Sequence, residues 1–299
     1  MPFKIYSNFL SIVRRNIEYL NNIVPSSHTN IYLLNLNLNP DHPDHRDYRI
    51  KFHHDHLTLL GKSQNLLIPP IVDLRNQNPP IYDQGALGSC TANAAGACFQ
   101  YSEKIKPSWM PSRLFIYYET RALMNTVNED SGATLRDTIK VLLTKGTPPE
   151  TDWPYLINKF TVTPPDHIYN KASHNKIGLY ARVNQTQPQI ELALYNKYCI
   201  MCGILVYDNF YDSPKGDIML PNSNNQLLGG HAIVIVGYNR NTKRFICRNS
   251  WGTSWGNKGY FTLPYKYILN PNLAWDFWVI KTTITTTTAH SIQKGSLSS

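Results

Sequence analysis

The stretch Gln84-Gly85-Ala86-Leu87-Gly88-Ser89-Cys90-Thr91-Ala92-Asn93-Ala94-Ala95-Gly96-Ala97 decides how this chain is read. Its first half is a turn punctuated by glycine. Its second half, continuing through Phe99 and Tyr101, is a run of small residues that suits a helix buried on every side. Cys90 stands at the junction. A thiol at a helix N-terminus meets free N–H groups and the positive end of the helix dipole, so the position predicts a lowered thiol pKa and a competent thiolate. Taken alone, such a cysteine is more often a small buried apolar residue.

Two later stretches bear on that choice. Gly229-Gly230 precedes His231-Ala232-Ile233-Val234-Ile235-Val236-Gly237-Tyr238, an apolar strand that opens on a histidine. The paired glycines leave room for a substrate or a second backbone to come close. Asn249 follows a strand expected over 244–248, and its side-chain carbonyl is able to hold an imidazole. It opens Asn249-Ser250-Trp251-Gly252, which runs on to Trp255-Gly256-Asn257-Lys258-Gly259-Tyr260. Singly, the histidine reads as a hydrogen-bonded strand residue and the asparagine as a turn residue.

Composition bounds the possibilities. With 299 residues, 42% hydrophobic and 12% aromatic, the chain can fill a core, which excludes wholesale disorder. No apolar run approaches the ~20 residues that cross a bilayer as a helix. The net charge of +9 comes from scattered lysines and arginines rather than a dense block, so a nucleic-acid or anionic-surface binder rests on charge alone. Five cysteines, an odd number, exclude a disulfide framework and leave at least one thiol free. Cys199 and Cys202 have the spacing of half a zinc site, but no second pair accompanies them, and they read as core residues. His53-His54-Asp55-His56 reads as a solvated polar stretch. No metal site and no cofactor are expected.

Along the chain, Phe9, Val13, Ile17, Leu20 and Val24 mark one face of a helix near 7–22. Arg14 and Arg15 interrupt any signal-peptide core there. Leu34, Leu36 and Leu38 alternate with asparagines, which predicts a half-buried strand over 31–39. A polar turn region, Asp41-His42-Pro43-Asp44-His45-Arg46-Asp47-Tyr48, follows. Further helices and strands of a mixed α/β texture are expected at 136–143, 198–207, 231–238, 244–248, 259–263 and 277–281. Residues 284–299, rich in Thr and Ser, read as a flexible tail.

Together these pieces resemble the papain-like cysteine proteases. His231 follows Cys90 within the ~130–150 residues that the family keeps. Val72-Asp73-Leu74-Arg75 looks like the start of the family's mature enzyme, and Asn249-Ser250-Trp251-Gly252-Thr253-Ser254-Trp255-Gly256 is close to a family signature. The likeness covers roughly 71–281. It implies an α+β fold of two lobes, one helical and one β-rich and barrel-like, with the active-site cleft between them. It implies Cys90 as nucleophile, His231 as its ion-pair partner and proton donor, and Asn249 as the residue orienting the imidazole. Trp251 would shield that contact, and Gln84 would share the oxyanion hole with the Cys90 N–H. Ser131 and Gly132, in Asp130-Ser131-Gly132-Ala133, would bind extended peptide together with Gly230 and Trp251.

The chain departs from the family pattern in places. Leu87 and Thr91 stand where the family usually has Cys and Trp, so one common disulfide is absent. The N-terminal part lacks the usual helical prosegment pattern and looks like a divergent branch found in microbes and large DNA viruses. The expectation is a prosegment-like extension at 1–67, a catalytic domain at 68–283 and a tail at 284–299. The extension would occupy the cleft, and acid would loosen it through the histidines between His28 and His56. No adjacent histidine pair lies between Cys90 and Thr186, where an occluding loop like that of the dipeptidyl-carboxypeptidase cathepsins would lie, so the resemblance implies an endopeptidase, and the N-terminal extension implies one made as a proenzyme. The competing expectation is a catalytically idle papain-fold protein that binds or builds. Compartment is open, with a lysosome-like compartment and a virus particle both compatible.

Overall fold

The structure is a computed structural model that describes residues 36–42, 44, 47–50, 68–103, 109–211, 213–282 and the backbone of 292–294. The helix expected at 7–22, the first residues of the strand expected at 31–39, and His28, His45, His53, His54 and His56 lie outside the described residues.

The small-residue run becomes helix α1 (Cys90–Glu103), buried without a break from Cys90 to Gln100. Alanine favours the helix, and short side chains let other elements close on all its faces. Beside it lie α2 (Arg113–Leu123), α3 (Leu135–Thr144) and α4 (Asp166–Ser173). Ser112 caps α2 by accepting from the Phe115 N–H, and Thr134 caps α3 by accepting from the Asp137 N–H. Sequence reading passes over α2, because Leu-Phe-Ile-Tyr-Tyr carries aromatic and β-branched residues that favour strands. The cap and burial of residues 113–121 override that preference.

The other lobe is a sheet. In chain order its strands are β1 (Tyr48–Ile50), β2 (Ile71–Asp73), β3 (Leu179–Val183), β4 (Ile200–Tyr207), β5 (Leu227–Asn239), β6 (Arg244–Arg248), β7 (Tyr260–Pro264), β8 (Ala274–Lys281) and β9 (Ile292–Lys294). Their order is β7-β6-β5-β4-β8-β3-β1-β9, with β2 added on β5. β5 is longer than the strand expected from His231, because Leu227 to Gly230 also pair with β4. Helix α5 (Gln187–Tyr195) and the short α6 (Tyr265–Ile268) complete the described α-helices. The fold is α+β, with helices on one side of a cleft and the sheet on the other. Cys199 and Cys202 are buried core residues.

The described residues 36–42, 44 and 47–50 are built into this body. β1 pairs in parallel with β3 and antiparallel with β9, which lies within the stretch expected as a flexible tail. The polar turn region is not simply solvated, since Asp41 and Asp47 are buried. Arg136 grips Asp47 through Nε at 3.0 Å and Nη2 at 2.5 Å, and its own backbone N–H donates to Asp41. Arg182 reaches Asp47, Asp276 and Asp41 at 2.6, 2.9 and 3.0 Å, and the Trp278 indole N–H donates to Asp41. Burial and the neighbouring Asp41 push the Asp276 carboxyl up to about 6.

Candidate active site

Cys90 begins α1 and His231 sits on β5 opposite it. The N–H of Ala232, the residue after His231, points at the Cys90 sulfur, as do the N–H groups of Thr91 and Cys90. The chain reversal after β6 delivers Asn249, whose N–H donates to the Gly259 carbonyl at 2.9 Å. His231 Nε2 lies 2.8 Å from Asn249 Oδ1. That oxygen also accepts the Ser250 backbone N–H at 2.8 Å, which can only donate, so it is the acceptor for the imidazole too. Nε2 therefore carries the proton and Nδ1 is the basic nitrogen. Nδ1 is buried and finds no hydrogen-bond partner among the described residues. Trp251 stacks on His231 with ring centres 4.7 Å apart and packs edge-on against Trp255, which keeps water from the imidazole–amide contact.

Gln84 is held from three sides. Its N–H donates to the Ser250 carbonyl at 2.9 Å, and its Oε1 accepts from Ser250 Oγ at 2.7 Å. Its Nε2 donates to the Leu87 carbonyl at 3.0 Å, which uses one of two N–H groups and leaves the second. The Tyr155 hydroxyl donates to the Gln84 carbonyl at 2.9 Å. Gln84, Cys90, His231 and Asn249, far apart in sequence, thus meet at one place.

The cleft beside them is filled by the chain itself. Residues 36–39 run extended between Gly132 and Ala133 on one side and Gly229 and Gly230 on the other. The Leu38 N–H donates to the Gly230 carbonyl at 3.1 Å and the Asn39 N–H to the Ala133 carbonyl at 3.0 Å. Asn37 and Asn39 donate their side-chain amides to the Asp130 and Ser131 carbonyls. A Cβ on Gly132 would sit 1.7 Å from the Asn37 carbonyl oxygen, and one on Gly229 2.6 Å from that of Leu36. Glycine is what lets the backbones come this close. Leu36 and Leu38 are buried and Asn37 is half-buried, the alternation expected of a strand.

Cys90 and His231 are both fully buried. Burial pushes the Cys90 thiol up to about 11 and the imidazole down to about 4. Burial of Cys90 thus opposes the thiolate expected from the helix start. The three N–H groups at the sulfur act in the expected direction, but removal of water outweighs them.

Two groups at the site escaped the sequence reading. Asp130 accepts the Gly88 N–H through both carboxylate oxygens, and Tyr155 hydrogen-bonds Ser89. The Asp130-Ser131-Gly132 stretch had drawn notice for its glycine; a carboxylate next to it was the available signal.

Comparison with known proteins gives a consistent picture. Residues 68–270 match the model of the papain family cysteine protease. An uncharacterized peptidase C1-like protein of Acanthamoeba polyphaga mimivirus is 40% identical over 261 residues, which is 80% of this chain and 84% of that protein. Xylellain, a cysteine protease from Xylella fastidiosa, superposes with a TM-score of 0.75 at 39% identity, covering 83% of this chain and 96% of the other. Procathepsin B S9 from Trypanosoma congolense shares the fold at a TM-score of 0.64 and 14% identity, covering 92% of this chain and 98% of the other.

Proposed function

The chain belongs to the papain family of cysteine proteases and is a cysteine-type peptidase, and we propose that it cleaves peptide bonds with Cys90, His231 and Asn249 acting in series. On this reading Cys90 Sγ gives its proton to His231 Nδ1 and attacks the scissile carbonyl carbon. The oxyanion takes hydrogen bonds from the Cys90 backbone N–H and the free N–H of Gln84 Nε2. The imidazolium returns its proton to the leaving amine, and water then hydrolyses the thioester. The observation that carries the reading is the His231–Asn249 bond, which fixes the tautomer with Nδ1 as base. Ser131, Gly132 and Gly230 are the groups proposed to pair with extended peptide, and Trp251 keeps the imidazole dry.

We also propose that the full chain is a latent endopeptidase whose covering segment lies within 1–67 and whose catalytic domain spans 68–283. Support comes from residues 36–39 running between Gly132–Ala133 and Gly229–Gly230, and from the complete burial of Cys90. Cys90→Ala is expected to abolish peptide hydrolysis and covalent labelling by an epoxide of the E-64 type. Labelling that survives, or that moves to Cys98 or Cys247, sinks the assignment.

A further inference from the structure

We infer that Asp130 is a positioning residue for Cys90, its carboxylate tying the turn that carries the nucleophile to the loop proposed to pair with peptide. The inference rests on Cys90 being the nucleophile. Gly88, two residues before Cys90, donates its N–H to Asp130 Oδ1 at 3.1 Å and Oδ2 at 3.0 Å. The Tyr117 hydroxyl, from the middle of α2, donates to Oδ1. The same hydroxyl accepts the Gly132 N–H at 3.1 Å. One carboxylate therefore links three parts: the turn before α1, helix α2, and the loop whose Gly132 faces the occupied cleft. Movement of any one is transmitted to the others through short polar contacts.

Neighbouring charges make this link electrostatic as well as mechanical. Arg121, also on α2, donates to the Val127 and Glu129 carbonyls and places its positive charge near Asp130. The Tyr117 and Tyr155 hydroxyls also feel Asp130. Cys90 faces Asp130 from the start of α1, and its other ionisable partner on this reading is His231 on β5. The negative charge of Asp130 opposes formation of the thiolate. A purely structural acceptor would not need a charge here, since an asparagine Oδ1 could accept both the Gly88 N–H and the Tyr117 hydroxyl. The carboxylate thus holds the nucleophile in place while penalising its ionised form.

The test uses the full chain. Alkylation by iodoacetamide, which reads Cys90 in the population open to reagent, is followed by peptide mass spectrometry from about pH 6 to 11, and amide exchange is followed at Gly88. Asp130→Asn keeps the acceptor and removes the charge. Its alkylation midpoint is expected to fall by roughly one pH unit, the scale of a neighbouring like charge, with Gly88 protection retained. Asp130→Ala removes both, and Gly88 exchange is expected to rise by about tenfold, the scale of one lost hydrogen bond. An unmoved midpoint in Asp130→Asn overturns the inference even if Asp130→Ala fails to fold, as does unchanged Gly88 exchange in a folded Asp130→Ala. Hydrolysis surviving in Cys90→Ala is a separate result: it removes the nucleophile reading, and with it the catalytic meaning of the tether.

Discussion

Replacing Asp47 by alanine should uncover the active site without touching it. Asp47 lies on the N-terminal stretch, while its partners Arg136 and Arg182 belong to α3 and β3. When the stretch leaves, the carboxylate leaves with it, so the whole interaction counts toward docking. Removing one side of a buried pair costs about 3–5 kcal/mol, because the other charge stays behind without its partner. Here the loss is softened. Three carboxylates face two guanidiniums, and Arg182 keeps Asp41 and Asp276 while Arg136 keeps the His42 carbonyl. The cost falls to the bottom of that range and below, about 2–3 kcal/mol, equivalent to a roughly 30- to 150-fold larger uncovered population.

The assay is the rate at which an E-64-type epoxide labels Cys90 in the full chain near pH 7. If re-covering outruns labelling, the rate follows the uncovered population directly. Glu191→Gln is the control. Glu191 bonds Arg240 at 2.6 Å and the Tyr265 hydroxyl at 2.7 Å, and neither partner belongs to the covering stretch. That variant should lower Tm and leave the labelling rate near wild type. A rate for Asp47→Ala within about threefold of wild type would show that the buried ion network does not hold the cleft closed.

Three further outcomes follow from the same geometry. Gln84→Ala should lower kcat by roughly 10²–10³ with little change in KM, as loss of an oxyanion donor does, and unchanged turnover removes that role. Leu38→Asp should speed Cys90 labelling in the full chain, because a carboxylate cannot replace a buried leucine worth about 1.5–3 kcal/mol; an unaltered rate would mean that this side chain does not seal the cleft. Proton NMR of the full chain should find His231 titrating near 4, moving toward 6.5 in Leu38→Asp. Since burial lowers this pKa, its contribution to the covered form is full above about 6.5 and is lost as pH falls through 4. A His231 midpoint shared by both chains would separate the imidazole from the cover.

The acid response is less simple than the histidine-rich N-terminal sequence implies. His231 favours uncovering in acid, but Asp276 acts the other way. Its carboxyl is raised to about 6, so its contribution to the folded, anchored form is full below about 4 and is lost as pH rises through 6. Both groups lie in the protein body, at positions where sequence offered no sign of an altered pKa. Asp276 has φ +55, a left-handed conformation that asparagine also tolerates, so Asp276→Asn removes the opposing limb with little backbone strain.

How much of this was legible in the sequence follows from the range of each interaction. Helix α1 and strand β6 were readable because burial on all faces, or a short apolar run between turns, is a local pattern. Gln84, Cys90, His231 and Asn249 could be brought together only through family likeness, since no local pattern joins residues so far apart. Helix α2 was missed because its side chains favour a strand while its cap and packing favour a helix. The Asp41 and Asp47 network was missed for a different reason. In sequence those aspartates sit among His, Pro and Arg, where solvation is the ordinary outcome. Only the placement of Arg136 and Arg182 beneath them makes burial affordable.

Cover and chemistry are physically one problem in this cleft. Gly132, Gly229 and Gly230 lack side chains where an extended backbone must approach, and that absence serves a peptide or the chain's own residues 36–39 equally well. Occupation does more than block entry. Burial raises the Cys90 thiol and lowers the His231 imidazole, so proton transfer from one to the other is unfavourable in this state. On the proposed reading, uncovering would admit solvent, and the N–H groups of Cys90, Thr91 and Ala232 would then favour a thiolate against a smaller burial cost. On the proposed latent reading, the block has a steric part, residues 36–39 between Gly132 and Gly230, and an electrostatic part, the burial of Cys90 and His231. Anchoring through Asp41 and Asp47 holds both, because the charges that fix the stretch lie away from the cleft and survive any small movement within it.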